Sequence, residues 1–394
     1  MFQCRSPPGA WMRPQGLSET TVPPLLIGHE IFRHSTYGAW HPLRIPRVST
    51  VMDLSRALGW APPERYRTAP RAKPTALSAW HTPRYLAALA DAEASGEVSP
   101  SVRRMHGLGT PSNPVFPEMY RRPATAAGGT LLAAELLMAP DGPRRVHNPA
   151  GGTHHGMPDR AAGFCYLNDP VLGILRLLDL GAGRIAYVDL DAHHPDGVVH
   201  AFAARPEVLV ISTHEENRWP RTGALNDVGT GNVFNLPLPR GATDADARAA
   251  LDDLILPRVQ AHHPDVVVLQ CGADSVREDP LSGLDWTNRA YVRALRAIIP
   301  LAPRLLVLGG GGYNPYATGR LWTARWATVS GQAIPECLPT AAESVLRGIE
   351  WSGTRLAREK PECWFTTLLD APCEGTVQAE VRSRLSILRA RRSP

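Results

Sequence analysis

Apolar runs of four to six residues recur through the second half of the chain, and each stops abruptly at polar or glycine residues. They are "IAYV" from Ile185, "EVLVIS" from Glu207 to Ser212, "DVVVLQ" from Asp265 to Gln270, and "LLVLG" from Leu305. Short apolar runs with polar boundaries predict buried strands of a parallel sheet. Between them the pattern lengthens to helical spacing, from about Thr243 to His263 and around Trp286 to Ile299, while Asp169 opens "PVLGILRLLDLG" with Pro170 in its first turn. Upstream, "PLLIGHEIF" predicts a strand at Leu25 to Gly28. A helix follows Pro46 with Ser49 as its cap, another runs from Thr82 and closes at Gly96, and a third spans Ala124 to Met138. The stretch after Ala317 predicts helices that cover the sheet. Alternating strands and helices imply an α/β fold, a mainly parallel sheet with helices on both faces. No fixed-period repeat or linker divides the chain, which predicts one domain over residues 22–394 behind a disordered leader at 1–21.

The polar residues gather where the apolar runs stop. "IAYV" delivers Asp189, Asp191 and His193, "VLVIS" delivers Ser212 and His214, "VVVLQ" leads to Asp274, and "LLVLG" leads through four glycines to Tyr313. In open α/β sheets the ligand crevice lies beyond the carboxyl ends of the strands. Alternation along an extended segment places Asp189, Asp191 and His193 on one side. Carboxylates and an imidazole converging there are costly without a cation to share, and their oxygen and nitrogen donors suit zinc or a similar divalent ion. A structural ion-pair cluster is the competing reading. Asp274 supplies a third ligand and leaves a position open for water, as in catalytic zinc sites, although an aspartate after a strand also serves as a helix cap.

His154 and His155 sit in a glycine-rich loop, "GGTHHG", with Asp189 and Asp196 to orient them, which points to a histidine acting as base near neutral pH. Tyr313 follows a glycine run that lets a ligand approach the backbone, and its phenol can donate to a developing oxyanion. The run lacks the spacing of dinucleotide or phosphate loops, so nucleotide binding is discounted.

Net charge is +5, from 42 basic and 37 acidic residues, dispersed apart from Arg389, Arg391 and Arg392. A nucleic-acid partner would concentrate such charge on one face. Six cysteines without a paired spacing argue against a zinc knuckle or disulfide framework. No stretch has transmembrane length and no signal peptide is evident, so the expectation is a cytoplasmic protein without a membrane partner.

Six segments, "GGTHHG", "GFCYLND", "VDLDAHHPDG", "QCGADS", "DPLSG" and "LGGGGYN", resemble the zinc-dependent histone deacetylase family, in particular its bacterial members grouped with acetoin-utilisation deacetylases. The resemblance runs from about Leu25 to Gly331. It implies the arginase–deacetylase fold, with long active-site loops. It further implies that Asp191, His193 and Asp274 bind one zinc per chain, with ferrous iron as the other metal this family uses. His155 would be the general base, oriented by Asp196, and His154 an electrostatic partner paired with Asp189. Tyr313 would polarise the acyl carbonyl. Phe164 and Trp219 would wall a lysine-sized channel, with Gly163 contacting the substrate amide and Leu281 at the rim. Arg47 would serve an internal acetate-release pocket, and Asp189, Asp191 and Ser212 would border a structural potassium. The implied activity is removal of acetyl or other short acyl groups from the ε-amine of lysine in proteins or peptides. An acetylpolyamine or small acyl amine is the alternative substrate.

The chain departs from the family pattern at three places. Pro195 replaces a glycine, which restricts φ and removes a donor beside Asp196, and so bears on where Asp196 sits. "PRTG" places Arg221 near the mouth. The rim aspartate is missing, and Ser112 or Asn113 stands in its loop. Glu215 and Glu216, before Trp219, are the acidic residues a polyamine site would use. An arginase-like two-manganese enzyme would need a second Asp-x-Asp, whereas "GADSV" offers only Asp274. A non-catalytic metal-stabilised binder would not need Tyr313 or the histidine pair, and both are present.

Overall fold

The computed structural model describes residues 22–34, 37–38, 40–352, 358–373 and 375–391. The expected leader at 1–21 and Arg392 lie outside the described residues. Eight strands form one sheet: β1 (Leu25–Gly28), β2 (Tyr66–Thr68), β3 (Arg145–Asn148), β4 (Ile185–Asp189), β5 (Val208–Glu215), β6 (Val233–Leu238), β7 (Val266–Gln270) and β8 (Leu305–Leu308). Their order is β2-β1-β3-β8-β7-β4-β5-β6, and every pairing is parallel.

Strict alternation along the central strands feeds two cores. Ile185, Val208, Val210, Val266, Val268 and Leu306 face one side, against helices Arg121–Met138, Asp169–Asp179 and Asp196–Phe202. Ala186, Val188, Leu209, Ile211, Val267 and Val307 face the other, against helices Val48–Ala57, Asn288–Ile298 and Pro315–Ser330. A strand that is apolar on both faces reads as a continuous hydrophobic run, which is why these strands are visible in the sequence.

The topology places the site. From β4 the chain crosses to β5 on one side, and from β7 it crosses to β8 on the other, through helices on opposite faces. β4 and β7 are neighbours, with Asp189 opposite Gln270. The strand order therefore reverses between them, and such a switch point opens a crevice at the carboxyl ends.

Several local expectations change. Helix Pro83–Ser95 starts at Thr82, whose side chain accepts the Tyr85 N–H, and stops at Gly96 with φ 77°, as expected. Ser49, in contrast, is not a cap. The helix begins at Val48, directly after Arg47, so Ser49 is buried in its first turn. Pro46 holds Ile45 extended and the helix starts as soon as that restriction ends. The segment from 244 to 262 is helical but widens to a π turn at Leu251–Ile255, just before Pro257, which has no N–H to continue the ladder. β6 was not expected, because prolines speak against strands. Pro237 is tolerated within it since β6 is the edge of the sheet.

Candidate active site

β4 carries the site past its own end by a run of carboxylate-to-backbone bonds. Asp189 Oδ1 accepts the Asp191 N–H at 3.0 Å, and Asp191 Oδ1 accepts the His193 N–H at 3.0 Å. From β7, Asp274 Oδ1 accepts the Ala192 N–H at 2.9 Å. These bonds turn three side chains inward. His193 Nδ1 lies 3.2 Å from Asp191 Oδ1 and 2.9 Å from Asp274 Oδ2. One donor atom from each of the three lies within 4.8 Å of the other two. Tetrahedral zinc holds its donors ~3.4 Å apart, so small side-chain adjustments bring this set onto one ion.

The chemistry of the donors fits a divalent cation. Asp191 and Asp274 are fully buried, and among the described residues neither pairs with a lysine or arginine. Burial and the Asp191 charge push the Asp274 carboxyl up. Two buried carboxylates on one imidazole need a positive charge between them.

Glycines make this proximity feasible. A Cβ at Gly272 would lie 1.9 Å from Asp191 Oδ2, and one at Gly311 would lie 2.0 Å from Asp274 Oδ2. The glycine run thus makes room for the carboxylates themselves, in addition to any ligand. The Gly311 N–H also donates to Asp191 Oδ2 at 2.8 Å.

The two histidines occupy the opposite wall. His154 Nδ1 lies 2.8 Å from Asp189 Oδ2, and His155 Nδ1 lies 2.7 Å from Asp196 Oδ1. Pro195 adopts φ −78°, and Asp196 after it reaches His155 Nδ1. The two Nε2 atoms approach to 3.0 Å, so the pair holds one proton between them. Burial opposes charge on His154, but Asp189 and Asp191 outweigh it and raise its pKa to about 9. Burial and the His154 charge lower His155 to about 4 in spite of Asp196. The two shifts run in opposite directions and favour charge on His154 over His155.

Tyr313 closes the ring of polar groups. Burial, then Asp274 and Asp191, push its phenol well above the ordinary tyrosine range, so it remains a hydrogen-bond donor. Tyr313, His154, His155, Asp191, His193, Phe164 and Arg47 line one small cavity of about 40 Å³. Arg47 reaches in from the helix start, donates to the Gly310 oxygen at 2.8 Å and lies over the Trp322 ring.

Above this floor the walls are aromatic. Gly163 and Phe164 both have left-handed backbones, with φ 52° and 66°. A Cβ at Gly163 would strike the Trp219 ring at 2.4 Å and His155 at 2.7 Å, so that position admits only glycine. The Trp219 ring meets His155 edge-on at 4.6 Å, and Phe164 meets Tyr313 at 5.7 Å. Leu281 and Ser112 line the outer opening, whereas Asn113 is buried in its own loop.

Four supporting residues escaped the sequence reading. Gln270 donates to Asp191 Oδ2 at 2.9 Å, and the Tyr187 hydroxyl donates to Asp189 Oδ2 at 2.5 Å. Asp279 accepts the Tyr313 N–H at 2.6 Å and the Leu281 N–H at 2.9 Å, fixing wall and rim together. Asp169 accepts the N–H groups of Gly152 and Thr153, pinning the histidine loop, while Asn168 is the helix cap. Gln270 and Tyr187 sit on strands already assigned, so polar side chains within an apolar run were the available signal. Asp279 opens the segment "DPLSG", but nothing local reveals its bond to Tyr313, 34 residues away.

The chain is similar to proteins of known family. The family described as Histone deacetylase domain matches residues 41–329. Histone deacetylase 8 of Xenopus tropicalis is 34% identical over 304 residues, covering 75% of this chain and 81% of that protein. Acetoin utilization protein AcuC of Bacillus subtilis is 33% identical over 311 residues, covering 75% and 80%. The crystal structure of an HDAC homolog from Aquifex aeolicus superposes with a TM-score of 0.88 at 34% identity, covering 93% of this chain and all of that one. An HDAC homolog complexed with SAHA gives the same TM-score and identity over 94% of this chain.

Proposed function

This chain belongs to the histone deacetylase family and is a deacetylase hydrolase, and on that premise we propose that it removes acetyl or other short acyl groups from the ε-amine of lysine in peptides or proteins. The observation that carries this reading is the clustering of Asp191, His193 and Asp274, two of which, Asp191 and His193, line the same small cavity as His155 and Tyr313. Asp191, His193 and Asp274 would hold one divalent ion, zinc or ferrous iron, which when bound polarises an acyl carbonyl and lowers the pKa of water.

The other residues then have assignable work. His155, neutral because burial and His154 disfavour its charge, takes the proton of the attacking water and returns it to the departing amine. Asp196 holds the ring through Nδ1, so Nε2 is the nitrogen that moves that proton, exchanging its 3.0 Å contact with His154 Nε2 for the water. His154, charged and bonded to Asp189, supplies fixed positive potential beside the developing negative charge. The Tyr313 hydroxyl donates to the carbonyl oxygen as it becomes an oxyanion. The amide C–N bond breaks, and a carboxylate and a free amine leave. Phe164 and Trp219 hold the lysine stem and exclude water, and Arg47 attracts the released carboxylate. A complex of a structural relative with SAHA is consistent with a channel of this kind.

The decisive test is hydrolysis of an acetyl-lysine peptide by the metal-replete protein, with loss on chelation, loss with a hydroxamate and recovery with zinc. Metal-replete protein inert on acetyl-lysine, acetylpolyamines and small acyl amines alike would rule the reading out.

A further inference from the structure

A second cavity of about 600 Å³ opens outside Trp219, and five charged residues line it: Glu215, Glu216, Arg218, Arg221 and Arg240. Both carboxylates are already paired with an arginine. Glu215 is buried, bonds both Nε and Nη2 of Arg218, and accepts the Gly283 N–H at 2.8 Å. Burial opposes its charge, yet the Arg218 guanidinium holds the carboxyl below its ordinary range. Glu216 lies 2.7 Å from Nη2 of Arg384, which comes from helix Ala379–Ala390.

The arginines are differently placed. Arg240 lies 3.9 Å from Glu215 and its side chain is 78% exposed. Arg221 is exposed, in a left-handed conformation with φ 64°, and makes no ion pair among the described residues. Its N–H donates to the Arg218 oxygen at 2.7 Å, which fixes the base of the side chain at the cavity. Counting Arg384 and its second partner Glu380, three carboxylates meet four guanidiniums, and the two least engaged cations face the opening.

We propose that Arg221 and Arg240 select acyl-lysine with acidic neighbours, and disfavour acylated polyamines. This rests on the deacylase reading above and adds the substrate class. An acylated lysine is itself neutral, so only the groups flanking it can sense charge at the rim. At physiological salt exposed charges act on one another over only ~8 Å, so only flanking groups that come close to Arg221 and Arg240 are sensed. An acetylpolyamine instead carries ammonium groups at the same depth, where the two glutamates that would receive them are already paired.

The test uses the full-length, zinc-loaded chain with four substrates: acetyl-lysine peptides flanked by aspartate or by lysine, an uncharged acetyl-lysine derivative, and acetylspermidine. Exposed charge contacts contribute on the order of fivefold or less each. At low salt the aspartate-flanked peptide should exceed the lysine-flanked one by about tenfold in kcat/KM, with the gap shrinking in about 0.5 M salt. The double substitution Arg221→Glu with Arg240→Glu should invert that order while leaving the uncharged derivative unaffected. Equal rates on the two peptides, an order that the double substitution does not change, or acetylspermidine as the best substrate would overturn the proposal alone. If no substrate is hydrolysed, the deacylase reading itself falls and the proposal with it.

Discussion

The floor and the mouth of this site are built by different means. At the floor, Asp189, Asp191, His193 and Asp274 follow directly on β4 and β7, and backbone N–H groups hold their carboxylates. At the mouth, Arg218, Arg221, Trp219 and Leu281 stand on loops, and Arg240 is largely exposed. Strand ends in a packed sheet tolerate little displacement, and loops tolerate a good deal. The floor is therefore suited to chemistry that depends on fractions of an ångström, and the mouth to a selectivity that can drift between relatives.

That contrast can be broken most directly at the floor. His155→Ala and Tyr313→Phe should each lower kcat on an acetyl-lysine peptide by about 10²–10⁴-fold, with bound metal still one per chain. A loss smaller than tenfold in both would show that the reacting end lies elsewhere. Asp196→Asn should cost about 10–100-fold, as partners of catalytic and metal-bound histidines do.

A pH profile sharpens the same point. His155 is the base only when neutral, and its pKa is depressed to about 4, so kcat/KM should be level through neutrality and fall as pH drops toward that value. Asp196 raises the pKa of His155, so Asp196→Asn should move the acid limb to lower pH as well as lower the plateau. An acid limb that moves upward would contradict the assigned pairing.

Gly311→Ala tests whether the glycine run serves the carboxylates. Its Cβ would lie 2.0 Å from Asp274 Oδ2 and 3.0 Å from Asp191 Oδ2, so metal affinity should fall by about tenfold in a chelator competition. Unchanged affinity would restrict the run to accommodating substrate. The smallest effect belongs to the mouth. Trp219 is 45% exposed, and Trp219→Ala should raise KM by about fivefold with little change in kcat. A large fall in kcat would place Trp219 with the floor.

Much of the floor was legible in the sequence. Strands apolar on both faces announce themselves as continuous runs, and their polar endings mark the crevice, so Asp191, His193, Asp274 and Tyr313 could be picked out beforehand. The same cue failed at β6, where Pro237 is permitted only because the strand lies at an edge. It failed at Ser49, where the helix begins two residues earlier than a cap there allows.

Local order along the chain therefore determined which residues gather at the strand ends, because strand periodicity and the glycine run act between near neighbours. Tertiary structure alone decided how those residues are supported and what surrounds them. Asp279 reaches Tyr313 across 34 residues, and Arg384 reaches Glu216 across 168. Glu215 and Glu216 look like a cation site in one dimension and are neutralised in three. Such pairings depend on where distant helices and loops pack, which no local pattern encodes.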